Sequence, residues 1–103
     1  MKIAVASEKN DIKAEVYPTA GRAPYYLIFE DKKLIKSIKN PFAIGGGGAG
    51  YGVIQMLSDE NVDLVISGNF GPNMITVFKE KKLKYRIIQN MIVEEALEAE
   101  KDL

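Results

Sequence analysis

The sequence predicts an α/β fold, a mixed five-stranded sheet with three helices in the chain order β-β-β-α-β-α-β-α. Three observations predict it. The first half carries short runs of β-branched, aromatic and alternating residues separated by polar breaks. The second half alternates strand-like with helix-like segments, an order that favours parallel strands joined by right-handed crossovers. One of those segments, Val62 to Ser67, is apolar almost throughout, as a strand buried on both faces should be.

The elements follow in order. "KIAVAS", Lys2 to Ser7, alternates Ile3 and Val5 with small residues and reads as the first strand. The polar stretch Glu8 to Pro24 comes next, and so long a connection in a small domain is either functional or mobile. "YYLIFE", Tyr25 to Glu30, is a strand, Asp31-Lys32 a tight turn, and "KLIKSIK", Lys33 to Lys39, the returning arm of a hairpin. The lysines of that arm suit an exposed sheet edge. Tyr25 and Tyr26 must point to opposite faces, so one packs in the core while the other faces a pocket. Asn40-Pro41 breaks the strand, and a glycine run follows. Val53, Ile54, Met56 and Leu57 share one face of a first helix beginning near Gly50. Pro72 suits the first turn of a second helix, where its missing N–H is no loss. Met74, Ile75 and Phe78 form its inner face, and Lys79 to Lys82 suit its C-terminal end. "LKYRIIQ" is the last strand. "VEEALEAEKDL" is the last helix, with Glu94 and Glu95 in its first turn. The hairpin followed by β-α-β-α-β resembles the ribonuclease H-like arrangement.

Composition limits the function classes. The 103 residues predict one domain spanning 1–103, with 47% hydrophobic and 27% charged residues as in ordinary globular proteins. Fourteen basic residues balance fourteen acidic ones, which argues against broad binding of nucleic acid or an anionic membrane. No apolar run reaches membrane-spanning length and no leader pattern opens the chain, so a cytoplasmic location is expected. The chain contains no cysteine and no histidine. Disulfides, zinc fingers, thiol nucleophiles and histidine acid–base chemistry are therefore excluded within it. Any metal would bind through oxygen or arrive wrapped in its own ligands.

"AIGGGGAGYG", Ala43 to Gly52, holds six of the nine glycines. It fits a phosphate cradle, a cofactor pocket or a slack linker. A Walker loop fails, because Tyr51-Gly52 follows Gly50 where Lys-Ser/Thr is required. Gly45, Gly47 and Gly50 match a dinucleotide fingerprint, but so glycine-rich a run matches it almost automatically. Asp63, moreover, stands at the start of the next strand rather than its end. A metal-dependent nuclease would need several converging carboxylates, and only Glu8 falls near the crevice. Ser7 and Ser67 have no base beside them. The chain is therefore read as a binding protein, not an enzyme.

Ligands of open α/β sheets bind beyond the carboxyl ends of the parallel strands, where strand order reverses. The expected crevice lies between the first strand and Val62–Ser67. Ser7, Gly68, Asn69, Phe70, Gly71, Pro72 and Asn73 would line it, with Gly46, Gly47, Gly48 and Gly50 of the run. Two helix N-termini would aim there and favour an anion. Arg22 would meet that anion, or else pair with Glu8 or Asp11. Asn69 and Asn73 would bond the ligand or cap the second helix, with capping favoured for Asn69.

Several segments together resemble the dinitrogenase iron–molybdenum cofactor biosynthesis family. They are "MKIAVAS" at Met1, "GRAPYYLIFE" at Gly21, Asn40-Pro41, "GGAG" at Gly47, "SGNFGPN" at Ser67 and "VEEALEA" at Val93. The resemblance runs in order over essentially the whole chain. It implies a ribonuclease H-like fold and a small nitrogenase-accessory domain that carries an iron–sulfur or iron–molybdenum cluster precursor. The expected partner is that cluster or another small anion, and a metallocluster assembly protein. One departure matters. The family commonly has Pro-His-Phe-Gly-Arg before the second strand, with the histidine a suspected cluster ligand. Here Thr19 stands in the histidine's place within Pro18 to Arg22, so no side-chain metal ligand is expected. The alternative is a module for a small phosphorylated or carboxylated metabolite, or for a protein partner.

Overall fold

In the computed structural model, residues 1–44 and 49–100 are described. Within them lie β1 (Lys2–Ser7), β2 (Tyr25–Glu30), β3 (Lys33–Lys39), α1 (Ala49–Asp59), β4 (Leu64–Ser67), α2 (Pro72–Glu80), β5 (Lys84–Ile87) and α3 (Val93–Ala99). The five strands form one sheet in the order β3-β2-β1-β4-β5. β1 pairs antiparallel with β2 and parallel with β4. β2 and β3 are antiparallel, and β4 and β5 are parallel. This is the mixed, ribonuclease H-like sheet with three helices that the sequence predicts. β4 is shorter than Val62 to Ser67, because the Val62 N–H turns back to the carbonyl of Leu57 at the end of α1, 3.2 Å away.

Local chemistry explains the elements. The β2–β3 turn places Asp31 and Lys32 at φ 50° and 68°, the left-handed pair that matches the twist of a two-residue hairpin. In β3, Lys36 pairs with Ile28 but Leu34 pairs with Phe29, so Ile35 bulges out of the ladder. The bulge and the lysines protect a long edge strand from pairing with other chains. α2 starts with Pro72 in its first turn, behind Gly71 in extended conformation. The Glu95 side chain reaches back to the Ile92 N–H to open α3, 3.4 Å away.

The sheet is covered on both faces. Ala4, Ala6, Tyr26, Ile28 and Val65 pack against Val53, Ile54 and Leu57 of α1 and Met74 and Phe78 of α2. On the opposite face Ile3, Val5, Leu27, Phe29, Leu64 and Ile66 pack against Val93, Ala96 and Leu97 of α3. Phe70, Phe78 and Tyr85 close the first face as a trio, each pair of ring centroids 5.2 Å apart. Among the described residues no helix is long and apolar enough to cross a membrane.

Tyr26 links this core to the loop before it. Its ring is fully buried, and its hydroxyl donates to the Ala20 carbonyl at the start of a 3-10 turn, Ala20–Arg22. Tyr26→Phe would leave that carbonyl without its donor and is expected to lower stability by about 1–2 kcal/mol in urea unfolding. Burial pushes the Tyr26 phenol above its ordinary pKa. The folded chain thus keeps a proton that the unfolded chain releases near pH 10. Tyr26 therefore makes stability fall as pH rises past about 10, and Tyr26→Phe is expected to make that alkaline fall shallower.

Candidate functional site

The long connection after β1 is fastened rather than slack. The Tyr17 N–H donates to the Ala6 carbonyl at 2.9 Å. The Tyr17 carbonyl accepts from the Gly68 N–H at 2.9 Å and from Ser67 Oγ at 3.1 Å. The Ala20 N–H reaches the Asn69 carbonyl at 3.1 Å, and the Val16 N–H the Met91 carbonyl at 2.9 Å. Residues 16–20 thus lie across the carboxyl ends of β1 and β4, where the sequence places an open crevice. Their backbone groups satisfy strand ends that would otherwise need water or a ligand. Slow amide exchange is accordingly expected at Val16, Tyr17 and Gly68, and fast exchange at Asn10 to Ile12. Uniformly fast exchange from 8 to 20 would contradict this fastening.

The residues expected to line the crevice therefore separate. Ser7 is completely buried; its Oγ donates to the Lys9 carbonyl at 2.6 Å and accepts from the Lys9 N–H at 3.3 Å. Gly68 lies under Pro18, and a Cβ placed on it would come within 2.6 Å of the Pro18 Cα. Asn69 does not cap α2, for its Oδ1 accepts from the adjacent Phe70 N–H at 2.9 Å and Gly71 holds the cap position. Gly71 and Asn73 are exposed at the start of α2. A Cβ on Gly50 would meet the Met74 Cγ at 2.5 Å, so this glycine lets α1 approach α2. Gly46, Gly47 and Gly48 lie outside the described residues. Thr19 is exposed in extended conformation just before the 3-10 turn.

Arg22 belongs to a different hollow at the same end of the sheet, displaced toward the β2–β3 edge. It is a cavity of about 590 Å³ lined by Tyr17, Arg22, Pro24, Tyr25, Lys39, Asn40, Pro41, Ala43 and Ile44. Asn40 builds its walls. Its buried amide donates to the carbonyls of Gly21 at 3.3 Å and Ala23 at 2.9 Å, while its Oδ1 accepts from the Phe42 N–H at 2.9 Å. The Asn40 N–H adds a bond to the Pro24 carbonyl at 2.9 Å. Arg22, half-buried, spans the gap by donating Nη1 to the Phe42 carbonyl at 3.1 Å. Tyr25 and Lys39 are directly paired across β2 and β3, so their side chains share a face. Alternation along β2 sends Tyr26 to the core and Tyr25 to the other face, where it lines this cavity rather than the crevice between β1 and β4.

The sign of this cavity is its chemical signature. Its described lining includes two cations, Arg22 and Lys39, and no carboxylate. A hollow of about 330 Å³ near the ends of β4 and β5 is different: Glu15 lines it beside Gly68, Gln89 and Asn90. The first cavity suits an anion and the second does not. The sequence reading puts Arg22, and one of Tyr25 and Tyr26, at the crevice between β1 and β4, and it singles out neither Lys39, Asn40 nor Tyr17 as lining a site. Asn-Pro reads as a strand breaker, yet an asparagine held in a turn before proline is also a ready source of side-chain bonds to a neighbouring loop.

This architecture is shared. The apo orange protein of Desulfovibrio gigas superposes with a TM-score of 0.87, at 21% identity over 94% of this chain and 83% of that one. A Thermotoga protein described as NifB-related superposes at 0.80, with 25% identity over 95% and 84%. No curated protein matches the sequence significantly. Residues 1–102 match the family described as dinitrogenase iron-molybdenum cofactor. The chain belongs to that family. Within the dinitrogenase iron-molybdenum cofactor family, then, this chain keeps the fold and carries threonine at position 19, with no histidine or cysteine anywhere in its sequence.

Proposed function

We propose that the chain is a small, non-catalytic binding protein that carries or senses an anionic metallocluster or an oxoanion, held in the cavity between Arg22 and Lys39. The observation that carries this reading is the cavity's sign, two cations and no carboxylate in its described lining. Family membership supports the proposed class of cargo, a precursor of the dinitrogenase cofactor. The chain offers no thiolate or imidazole, and no three metal-binding side chains gather among the described residues. A cluster would therefore arrive with its ligands complete and be held by charge and shape. It would be handed to or from a metallocluster assembly protein in the cytoplasm.

Anaerobic titration with molybdate, and with a synthetic thiolate-capped iron–sulfur cluster, tests the proposal. The expected result is one equivalent retained with the protein in equilibrium dialysis at low salt, with micromolar affinity, about −8 kcal/mol. Release is expected as ionic strength rises. Retention of neither anion would reject it. A second reading, a phosphorylated or carboxylated metabolite, is favoured by the tyrosines and prolines that line the same cavity.

A further inference from the structure

We infer that the cavity selects an anion with a planar apolar body, of the aryl phosphate, sulfonate or carboxylate class, over a bare oxoanion. This inference rests on reading the cavity as an anion site, and within that reading it favours the phosphorylated or carboxylated metabolite over the oxoanion. Size is the first argument. At about 590 Å³ the cavity lies in the range that encloses organic ligands, and a bare oxoanion would leave most of it to water.

The lining is the second argument. Tyr17, Pro24, Tyr25, Pro41, Ala43 and Ile44 present rings and methyl groups. The one amide among them, Asn40, has its nitrogen and oxygen engaged by Gly21, Ala23 and Phe42. Among the described lining residues, charge is thus offered only by Arg22 and Lys39, in a largely apolar wall. A small oxoanion is strongly hydrated and needs donors around all its oxygens to replace that water. An aryl anion needs donors only at its charged end, and its ring gains from leaving water. The N-terminus of α2, which would supply more N–H donors, does not line this cavity.

Phenyl phosphate and inorganic phosphate share a headgroup, so their affinities isolate the contribution of the ring. Calorimetric titration of the whole chain, at low salt and a pH where both are dianions, is expected to show phenyl phosphate binding at least tenfold more tightly. Amide shifts should fall at Tyr17, Tyr25 and Ala43. Ile44 is 93% exposed, so Ile44→Ser can remove apolar wall without disturbing the core. It should weaken phenyl phosphate several-fold and leave inorganic phosphate unchanged, whereas Arg22→Gln should weaken both. Equal affinities, both sensitive to Arg22→Gln, would overturn the selectivity and leave the anion site standing. Binding of neither compound would overturn the selectivity and the anion site together.

Discussion

Replacing Gly68 with alanine is expected to destabilise the protein by about 2 kcal/mol, within the usual range for overpacking a tight site. The new Cβ would lie 2.6 Å from the Pro18 Cα and 3.2 Å from both its carbonyl carbon and oxygen. These are backbone atoms, so no side chain can swing away to make room. Nor can Gly68 retreat easily. Its N–H is bound to the Tyr17 carbonyl at 2.9 Å, and its own carbonyl accepts from Gln89 Nε2 at 2.7 Å. Relief requires residues 16–20 to lift from the strand ends, which would break the bonds that Tyr17 makes to Ala6, Ser67 and Gly68. For a domain near this size the melting temperature should fall by roughly 10 °C. Gly71→Ala is the control, because a Cβ there meets nothing within 4 Å; it should change stability by less than about 1 kcal/mol. Equal melting temperatures for the two variants would show that the Pro18 segment is not seated on Gly68.

The same contact shows where the sequence was legible. Strand order, helix positions and the buried β4 follow from period and punctuation, which are local signals. The proline in the first turn of α2 and the lysines of β3 are local signals too. The site depended on something non-local, namely where residues 8–24 lie once the sheet has formed. Their polar composition looks like slack loop. Yet Val16, Ala20 and Ala23 are buried, and the binding of this segment is mostly through backbone groups, which every residue carries and no motif announces. Once it covers the ends of β1 and β4, Ser7 and Gly68 become structural and the open hollow moves toward Tyr25 and Lys39. Arg22 enters the sequence reading as a cation that could meet an anion beside two helix N-termini, and the structure places it instead in the hollow toward Tyr25 and Lys39. Lys39 does not enter it as a site residue, because a lysine on an edge strand reads equally well as a guard against sheet pairing, and its pairing with Tyr25 appears only in the register.

Replacing both cations of the cavity is expected to have the largest effect on binding. Arg22 is half-buried and its guanidinium is positioned by the Phe42 carbonyl, so a charge-assisted bond from it to an anion should contribute about 1.5–3 kcal/mol. Arg22→Gln should weaken phenyl phosphate tenfold or more, since each factor of ten corresponds to about 1.4 kcal/mol. Lys39 is exposed, and water and salt screen its charge, so Lys39→Gln should weaken binding only about twofold to fivefold, in line with about 0.2–1 kcal/mol for exposed charges. The two changes act on one ligand and need not add. Their combination should nonetheless leave no binding that responds to ionic strength. In wild type, raising salt from about 0.01 M to 0.15 M shortens the screening length from about 30 Å to about 8 Å, and affinity should fall with it. Arg22→Gln also removes the bond to Phe42, so a melting curve must accompany its titration. Lys39→Gln leaves the bonds of the Asn40 side chain to Gly21, Ala23 and Phe42 intact and is the cleaner probe of charge, with an unchanged melting temperature expected. Wild-type affinity in the double variant, or affinity indifferent to salt in wild type, would place the anion somewhere other than this cavity.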